Sequence, residues 1–365
     1  MTLTPRVIQS RAGTKKTQLS VDIPTIDPDC VSLLKKYSRQ DLSFEDESQL
    51  FNSLVSLIKA QYPFDDALQD NIVYFLTRLE YHLGGSKSRS HYLTYLVPDG
   101  KGTSSGFIDS MITLLSSPHT KIVAAALSYS THIFYGLSPS IRLRFLNNYS
   151  LSSFITLIHP HSLPIAAHSA LHNDAVHFIE VCLALANPGS YSSSFTSVVE
   201  QHNCSELIFH KVLVPSSQYL HYLCQNRHIL SGDLLNYFVL LLGRLRLIGP
   251  YHIPTLQFVL SPQINLTNHS FLLTVENESV HTNYLAYIRY SLEERGVKYP
   301  EMVARSRKQI RQALMAGGFE DRFEQALRSN KVRDRDEWYS FNCISIARFL
   351  GLNARIMLTL GTRHE

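Results

Sequence analysis

The sequence predicts an all-α fold in which helical repeats stack into a superhelix, an α-solenoid. The segment LLSSPH from Leu114 to His119 recurs in outline as LIHPH from Leu157 to His161. The offset of about 42–43 residues is the period of armadillo and HEAT repeats. Around this pair, apolar residues recur at the spacing of one helix face, and an alanine-rich segment lies between two shorter helices. The predicted fold class is therefore an armadillo/HEAT-like helical-repeat superhelix.

Three segments form the predicted central repeat. In Phe107–Leu115, large apolar residues fall at positions 107, 108, 111, 114 and 115, which form one stripe of a helix. In Ile122–Phe134, apolar residues surround alanines 124–126, and a helix that is apolar on more than one side is normally buried by neighbours. Leu151–Ile158 repeats the short apolar-faced helix that opened the unit.

The N-terminal 28 residues predict a disordered tail. They are polar and are interrupted by Pro5, Pro24 and Pro28. Four basic residues and no acid precede Asp22, a bias that mitochondrial transit peptides share, but a clear amphipathic stripe is missing. A disordered leader is the simpler interpretation, and the repeats are expected to begin at about residue 29.

The remaining helices follow from apolar periodicity between turn signals. Glu47–Gln61 and a helix from Asp65 to Leu83 come first, and Gly84-Gly85 ends the second of them. A Gly/Ser/Lys-rich mobile loop is expected at about 84–105. After the central repeat, helices are predicted at Pro164–Ala186, Leu207–Val214, Ser217–Asn226, Leu234–Ile248, Ile253–Leu260, Thr282–Glu294, Pro300–Met315, Phe319–Leu327 and Ser340–Leu352.

Two parts of this region carry further expectations. Ile253–Leu260 and Phe271–Val275 each fit a strand or a short helix, and the surrounding helical periodicity favours the helix. The repeats are expected to end at about residue 328, and residues 329–365 are predicted to form a charged linker and a C-terminal helix.

Composition places mild bounds on function. The net charge of +4 does not demand a nucleic acid or a membrane as partner. The five cysteines are odd in number, scattered and without a CxxC spacing, which favours reduced thiols in the cytoplasm, with the nucleus as an alternative. The most apolar segment, Leu234–Ile248, is too short for a membrane span and contains Arg244 and Arg246.

Motifs for catalysis and cofactor binding are missing. The sequence has no GxSxG elbow, no P-loop and no strand-linked GxGxxG. His168 and His172 stand at i, i+4 in a histidine-rich stretch over 159–177, but HSALH lacks the glutamate of a zincin and no third ligand is set by spacing. His221, Cys224 and His228 have the same deficiency. We therefore predict no catalytic, cofactor-binding or metal-binding residue, and the metal question for 159–177 stays open.

Four segments in the second half resemble a known family. They are VPSSQYL with LCQNR over 214–227, Gly249-Pro250-Tyr251, Pro254-Thr255, and GFED over 318–321. In order and spacing, over roughly residues 100–330, the chain is similar to a large family of uncharacterised armadillo-like proteins expanded in certain anaerobic protists. The resemblance implies an all-helical, armadillo-like fold, and it implies no activity.

The predicted function is a non-catalytic protein–protein interaction scaffold or adaptor, whose partner is a protein or peptide. The first alternative is a nucleic-acid-associated helical-repeat protein, because Arg305, Lys308 and Arg311 share one face of a predicted helix. Acidic residues at 320, 321 and 324 follow closely, which favours an ordinary solvated face. A second alternative is an enzyme, which would require a deep pocket with converging His, Asp or Cys side chains.

Overall fold

The structure is a computed structural model that describes residues 31–32, 44–84, 105–137, 139–149, 151–158, 163–184, 198–230, 232–249, 252–267, 269–275, 277–293, 300–328 and 337–352. Across these ranges every element of regular secondary structure is a helix, so the all-α prediction is confirmed. The predicted tail over 1–28, nearly all of the predicted loop at about 84–105 and most of the predicted linker lie outside the described residues. None of the described helices combines the length and hydrophobicity that a bilayer crossing requires.

The α-helices are numbered in chain order. They are α1 (Phe44–Lys59), α2 (Asp66–Gly84), α3 (Ser105–Leu115), α4 (Thr120–Gly136), α5 (Pro139–Asn148), α6 (Ser152–Leu157), α7 (Ser169–Leu183), α8 (Val198–Ile208), α9 (Val214–Gln225), α10 (Gly232–Ile248), α11 (Ile253–Leu260), α12 (Glu278–Leu292), α13 (Pro300–Ala316), α14 (Phe319–Arg328) and α15 (Glu337–Leu350). A π-helix, Phe209–Leu213, joins α8 to α9, and 3₁₀ turns occur at Arg227–Ile229 and Ser270–Leu273.

One row of helices runs through the described chain. It consists of α2, α4, α7, α10, α12 and α15, and each helix packs against the next. Between consecutive members of the row, the chain passes through other helices. These form a second layer, in which α1 contacts α3, α3 contacts α5, α5 contacts α8, and α6 contacts α9. The row helices α4, α10 and α12 are thus each covered on one side by a helix from outside the row and flanked by two neighbours within it.

Two polar side-chain contacts show that α2 and α4 run in the same direction. Near the start of both helices, the Lys121 ammonium lies 2.7 Å from a carboxylate oxygen of Asp70. Towards their ends, the His132 imidazole lies 3.3 Å from a carboxylate oxygen of Glu80. Neighbours that run in one direction require a return path, and α3 of the second layer provides it.

Aromatic side chains join the central helices to the second layer. The Phe134 ring of α4 lies 4.8 Å from Phe145 of α5 and 5.4 Å from Phe178 of α7, in edge-to-face arrangements. Phe154 of α6 meets Phe178 at 5.9 Å. Edge-to-face pairs each add about 0.5–1.5 kcal/mol beyond area burial. They belong to a hydrophobic core that continues from Leu50 to Leu352.

The predicted helices Leu207–Val214 and Ser217–Asn226 are not separate, because α8, the π-helix and α9 follow one another without interruption, with Pro215 in the first turn of α9. Proline has no N–H to donate to the carbonyl four residues earlier, which here is Lys211. The Lys211 carbonyl instead accepts a hydrogen bond of 3.2 Å from the backbone N–H of Leu151, at the start of α6. Next to it, the Ser216 hydroxyl donates to the Val212 carbonyl at 2.6 Å. The π-helix therefore accommodates the proline without ending the helix, and its hydrogen bond to Leu151 links α6 to α9.

The predicted helix start at Pro164 is also wrong, since α7 begins at Ser169. The Pro164 carbonyl accepts from the N–H groups of Ala167 and His168, which closes a turn before the helix. His172, one turn inside α7, reaches back to this segment, and its Nε2 lies 2.8 Å from the Leu163 carbonyl oxygen. This long-range bond orients the incoming chain across the end of α7.

A buried polar network joins α10 to α12. The Tyr287 hydroxyl accepts hydrogen bonds from the Arg246 guanidinium at 2.7 Å and from the Leu266 N–H at 3.0 Å, and it donates to Asn265 Oδ1 at 2.9 Å. Arg246 also donates to Asn265 Oδ1 at 2.8 Å. No carboxylate of the described residues takes part, and neutral oxygen atoms of Tyr287 and Asn265 solvate a guanidinium that is 3 % exposed.

We predict that Tyr287→Phe lowers the free energy of unfolding by about 2–3 kcal/mol, because it removes an acceptor from a buried charged group. Urea denaturation measures the change. Tyr284→Phe is the matched control, since its hydroxyl lies 3.4 and 3.5 Å from two carbonyl oxygens, and we expect a loss of about 1 kcal/mol or less. An equal loss in the free energy of unfolding for the two variants would show that the hydrogen bonds of Tyr287 do not stabilise the protein more than those of Tyr284.

Candidate functional site

One side of α4 faces away from the second layer. Lys121, Ser128 and His132 are exposed or half-buried and lie on one side of the helix, seven and four residues apart. On the other side, Ser130 is fully buried and its hydroxyl contacts Met111 Sδ of α3 at 3.9 Å. We call the surface that this outward side forms along the row the inner face.

The inner face continues on the neighbouring row helices, where its residues again recur at intervals of three and four. They are Asp70, Tyr74, Thr77 and Glu80 on α2, Asn173, Asp174 and His177 on α7, Asp233, Asn236, Tyr237, Leu240 and Arg244 on α10, and Asn283 and Tyr290 on α12. Most of these side chains are polar. The row therefore exposes a connected polar surface that crosses several helices.

Side chains on the inner face also bridge two further pairs of neighbouring row helices. Between α7 and α10, the His177 ring stacks on the Tyr237 ring at 3.9 Å between centroids. Between α10 and α12, Asn283 donates to the Asn236 side-chain oxygen at 2.7 Å. Such contacts set the register of neighbouring helices, since a shift of one turn would break them.

A buried ion pair reinforces the contact between α7 and α10. Glu180 is fully buried, and its carboxylate lies 2.8 Å from Nε of Arg244, which is a quarter exposed. A carboxylate in this position needs a charged partner, because an unpaired buried charge is strongly destabilising. Together with the His177–Tyr237 stack, this pair makes α7 and α10 run in the same direction, as α2 and α4 do.

The centre of the inner face is acidic. Burial and the neighbouring Glu80 carboxylate raise the pKa of Asp174 from 3.8 to about 6, although His132 opposes the shift. At neutral pH this carboxylate is ionised and forms no ion pair with another described residue, so it can accept a positively charged group from a ligand. The position favours lysine, arginine or an amine over an anion.

Two aromatic rings flank this carboxylate. Burial, reinforced by the nearby His132, lowers the pKa of His177 to about 4, so its imidazole is neutral at physiological pH. Burial also raises the pKa of Tyr237, and the carboxylates around it act in the same direction. The stacked pair therefore adds flat, uncharged surface beside the acidic centre.

The predicted histidine pair His168/His172 does not form a ligand set. Both ring nitrogens of His172 are engaged within the protein, Nδ1 with the Tyr219 hydroxyl at 2.9 Å and Nε2 with the Leu163 carbonyl oxygen. His168 lies at the N-cap of α7. His159 and His161 lie outside the described residues.

His221, Cys224 and His228, the other residues considered as metal ligands, do not form a ligand set either. Cys224 is buried, and this burial raises the pKa of its thiol. The His221 ring packs against Phe258, while His228 is exposed. Over the whole described part of the chain, no three His, Cys, Asp or Glu side chains form a group that could hold a metal ion.

The three basic residues predicted for partner binding have different environments on α13. Arg305 and Lys308 are exposed. Arg311 is also exposed, but its guanidinium donates a hydrogen bond of 2.9 Å to the Leu350 carbonyl at the C-terminal end of α15. A cation is favourable at that position because helix C-termini carry partial negative charge. Arg311 therefore has a structural contact that the sequence pattern did not indicate.

A cleft of about 600 Å³ opens between the end of α1 and the end of α3. Its walls include Lys59, Tyr62 and Phe64, and His119 lies against the Phe64 ring at 5.3 Å. Lys59 and His119 are the basic side chains among its described walls, and no cysteine or carboxylate lines the cleft among the described residues. Asp174 and His177 are not part of its wall.

Comparison with known proteins adds no assignment. A scan against protein-family models finds no match, and a search of curated proteins finds no relative.

We predict that Asp174→Asn stabilises the protein at pH 8 by about 1–3 kcal/mol. The raised pKa means that the folded wild-type protein holds this proton more tightly than the unfolded chain does. Wild-type stability therefore falls as pH rises from about 4 through about 6, and the asparagine variant lacks this loss. Chemical denaturation at pH 4, 6 and 8 measures the difference, which should approach zero at pH 4.

Asp109→Asn is the control, because Asp109 is an exposed carboxylate on α3. Its effect should stay within about 0.5 kcal/mol at each pH. A stability difference for Asp174→Asn that does not change between pH 4 and pH 8 would contradict the assigned burial.

Proposed function

We propose that this protein is a non-catalytic protein-interaction scaffold or adaptor of armadillo/HEAT-like type, and that its inner face binds a segment of a partner protein. The observation that carries the proposal is the row of helices, in which each member packs against the next and leaves one polar stripe uncovered. Solenoids use such extended surfaces to bind peptides and proteins. The resemblance to armadillo-like proteins supports the same interpretation.

The chemistry of the inner face indicates which segment it would bind. Asp174 and Glu80 lie close enough to raise a carboxylate pKa, and Asp233 is exposed on the next helix. Carboxylates in a partly dehydrated position attract lysine and arginine side chains. Tyr74, which is 52 % exposed, offers an apolar contact beside them. The proposed ligand is therefore an extended protein segment that carries basic side chains.

Affinity capture of the tagged protein from its own cells, with nuclease treatment, tests this proposal. The wild-type protein should retain a reproducible protein partner after nuclease treatment. The double variant Asp70→Arg/Asp233→Arg should lose that partner, because it reverses two exposed charges on the inner face. Recovery of the partner should fall at least tenfold in quantitative mass spectrometry.

The matched control is Asp109→Arg/Glu301→Arg, which makes the same charge change at exposed positions of α3 and α13. This control should bind like the wild-type protein. Equal binding by the inner-face variant and the control would reject the inner face as the binding surface. Partners that vanish after nuclease treatment would reject a protein ligand.

A second candidate function is association with nucleic acid through α13. The observation that favours it is that Arg305 and Lys308 are exposed one turn apart, with no ion pair to another described residue. Phosphate contacts from such residues make binding depend steeply on salt.

We expect that, if α13 contacts RNA, Arg305→Gln/Lys308→Gln lowers the slope of log affinity against log salt by about 1.4 for single-stranded RNA. Fluorescence anisotropy with a labelled oligonucleotide between low and physiological salt measures the slope. An unchanged slope, or no binding by the wild-type protein at low salt, would remove this candidate.

A further inference from the structure

The cleft between the end of α1 and the end of α3 shares no residue with the inner face, and neither proposed function uses it. Its walls come from the ends of these two helices and from the turns that follow them, which lead into α2 and α4. The volume of about 600 Å³ falls within the range of sites that bind small molecules. The chemistry of the walls therefore indicates which ligand fits.

Much of the cleft wall is apolar and aromatic. The Phe64 ring, which is 7 % exposed, contacts the Tyr62 ring at 5.6 Å and the His119 ring at 5.3 Å, both edge-to-face. The remaining apolar part of the wall is aliphatic and consists of Ile58, Ile112 and Pro118. Aromatic rings pack well against other rings in edge-to-face or offset arrangements, so this wall fits a flat aromatic group.

The charged side chains of the cleft wall favour an anion. Lys59 is exposed and forms no ion pair with another described residue, and the ring nitrogens of the half-buried His119 have no hydrogen-bond partner among those residues. No carboxylate belongs to the described wall. Asp65, which follows Phe64, lies outside it and accepts a hydrogen bond from the Leu68 N–H at 2.7 Å. A carboxylate of a ligand therefore finds a cation and a hydrogen-bond donor in the cleft and no competing acid.

The two helix ends at the cleft offer little opposition to an anion. Helix C-termini carry partial negative charge because their last carbonyl groups lack partners within the helix. In α1 the carbonyls of residues 56–58 accept from N–H groups of the following turn, and in α3 those of residues 112–114 do the same. The Leu115 carbonyl accepts from the Tyr149 hydroxyl at 3.4 Å. Donors of the protein thus already compensate most of these carbonyls.

Gln61 lines the cleft in a backbone conformation that glutamine rarely adopts. Its φ of 52° is the one positive φ at a non-glycine residue in the described part of the chain. A hydrogen bond from the Tyr62 N–H to the Leu57 carbonyl closes the end of α1 around it, and glycine is the usual residue at this position. The Gln61 side chain makes no hydrogen bond to another described residue, so its amide supplies a donor and an acceptor to the cleft.

We propose that this cleft binds an aromatic carboxylate, with the ring against Tyr62 and Phe64, the carboxylate paired with Lys59, and the Gln61 amide as a further polar contact. A free aromatic acid and the C-terminal aromatic residue of a peptide share this chemistry. The site does not rest on the proposed scaffold function, because none of its residues belongs to the inner face.

Saturation-transfer NMR titrations of the full-length protein at constant ionic strength test the proposal. The probes are 3-phenylpropionate, its amide, and an acetylated alanyl-phenylalanine peptide with a free or an amidated C-terminus. The wild-type protein should bind an acid saturably and about tenfold more tightly than the matching amide. Tighter binding of 3-phenylpropionate would assign a small molecule, whereas tighter binding of the peptide acid would assign a C-terminal residue.

Two variants test the assigned side chains. Lys59→Gln removes the charge, so its affinity for the acid should fall about threefold or more while its affinity for the amide stays unchanged. Gln61→Gly introduces the residue that usually ends a helix in this way, so the variant should unfold at the wild-type temperature or above it. Its affinity for the acid should still fall about threefold, because the amide contact is lost.

Lys308→Gln is the matched control, since Lys308 is exposed on α13 and lies outside the cleft wall. This variant should bind the acids like the wild-type protein. Three results would overturn the proposal. The first is a wild-type protein that binds neither acid saturably, and the second is equal affinity for acid and amide. The third is an affinity for the acids that Lys59→Gln and Gln61→Gly both retain.

Discussion

Side-by-side packing of the row helices is the constraint on which the rest of the structure depends. A helix in the middle of this row must bury two flanks against its neighbours and a third side against the second layer. On α4 this leaves a stripe marked by Lys121, Ser128 and His132. The inner face is therefore the side of the row helices that contacts neither the neighbouring row helices nor the second layer. Its continuity follows from the fact that each row helix packs against the next.

Polar groups fix the register of this packing at the joints between helices. Apolar side chains alone tolerate small shifts, because one buried methyl group substitutes for another. A shift of this kind would break the Glu180–Arg244 pair and the hydrogen bonds of the Tyr287 hydroxyl. It would leave a buried charged or polar group without a partner, which is costly. These groups lie between α7 and α10 and between α10 and α12, where the row is most extensively packed. Specificity of packing there is an electrostatic property as much as a hydrophobic one.

Charged groups of the two layers lie in similar surroundings. On the inner face, the Glu80 carboxylate opposes the ionisation of the half-buried Asp174. In the second layer, Arg142 is 3 % exposed and forms no ion pair with another described residue. In both places burial is the main cause of the change in pKa, and a neighbouring charge is the lesser one.

Long helices were accessible from sequence, because their apolar spacing and turn signals are local. The predicted segments Ile122–Phe134, Leu234–Ile248 and Pro300–Met315 are confirmed as α4, α10 and α13 with shifts of only a few residues. Local signals failed where a distant group intervened. Two separate helices were predicted around Pro215, yet the chain is helical throughout, and the Leu151 N–H satisfies the carbonyl that this proline leaves free.

The candidate sites depended on tertiary structure to a greater degree. Arg305, Lys308 and Arg311 share a helix as predicted, but only the fold brings Arg311 to the end of α15. Glu180 and Arg244 are 64 positions apart in the sequence. The sequence showed only that each is a charged residue within an apolar segment. By itself the sequence determined which segments are helical and which side of each is apolar, since both are properties of neighbouring residues. Only the tertiary structure decided which helices became neighbours, and hence which charges meet or remain unpaired. The reason is that the distance between two helices in space does not follow from their separation along the chain.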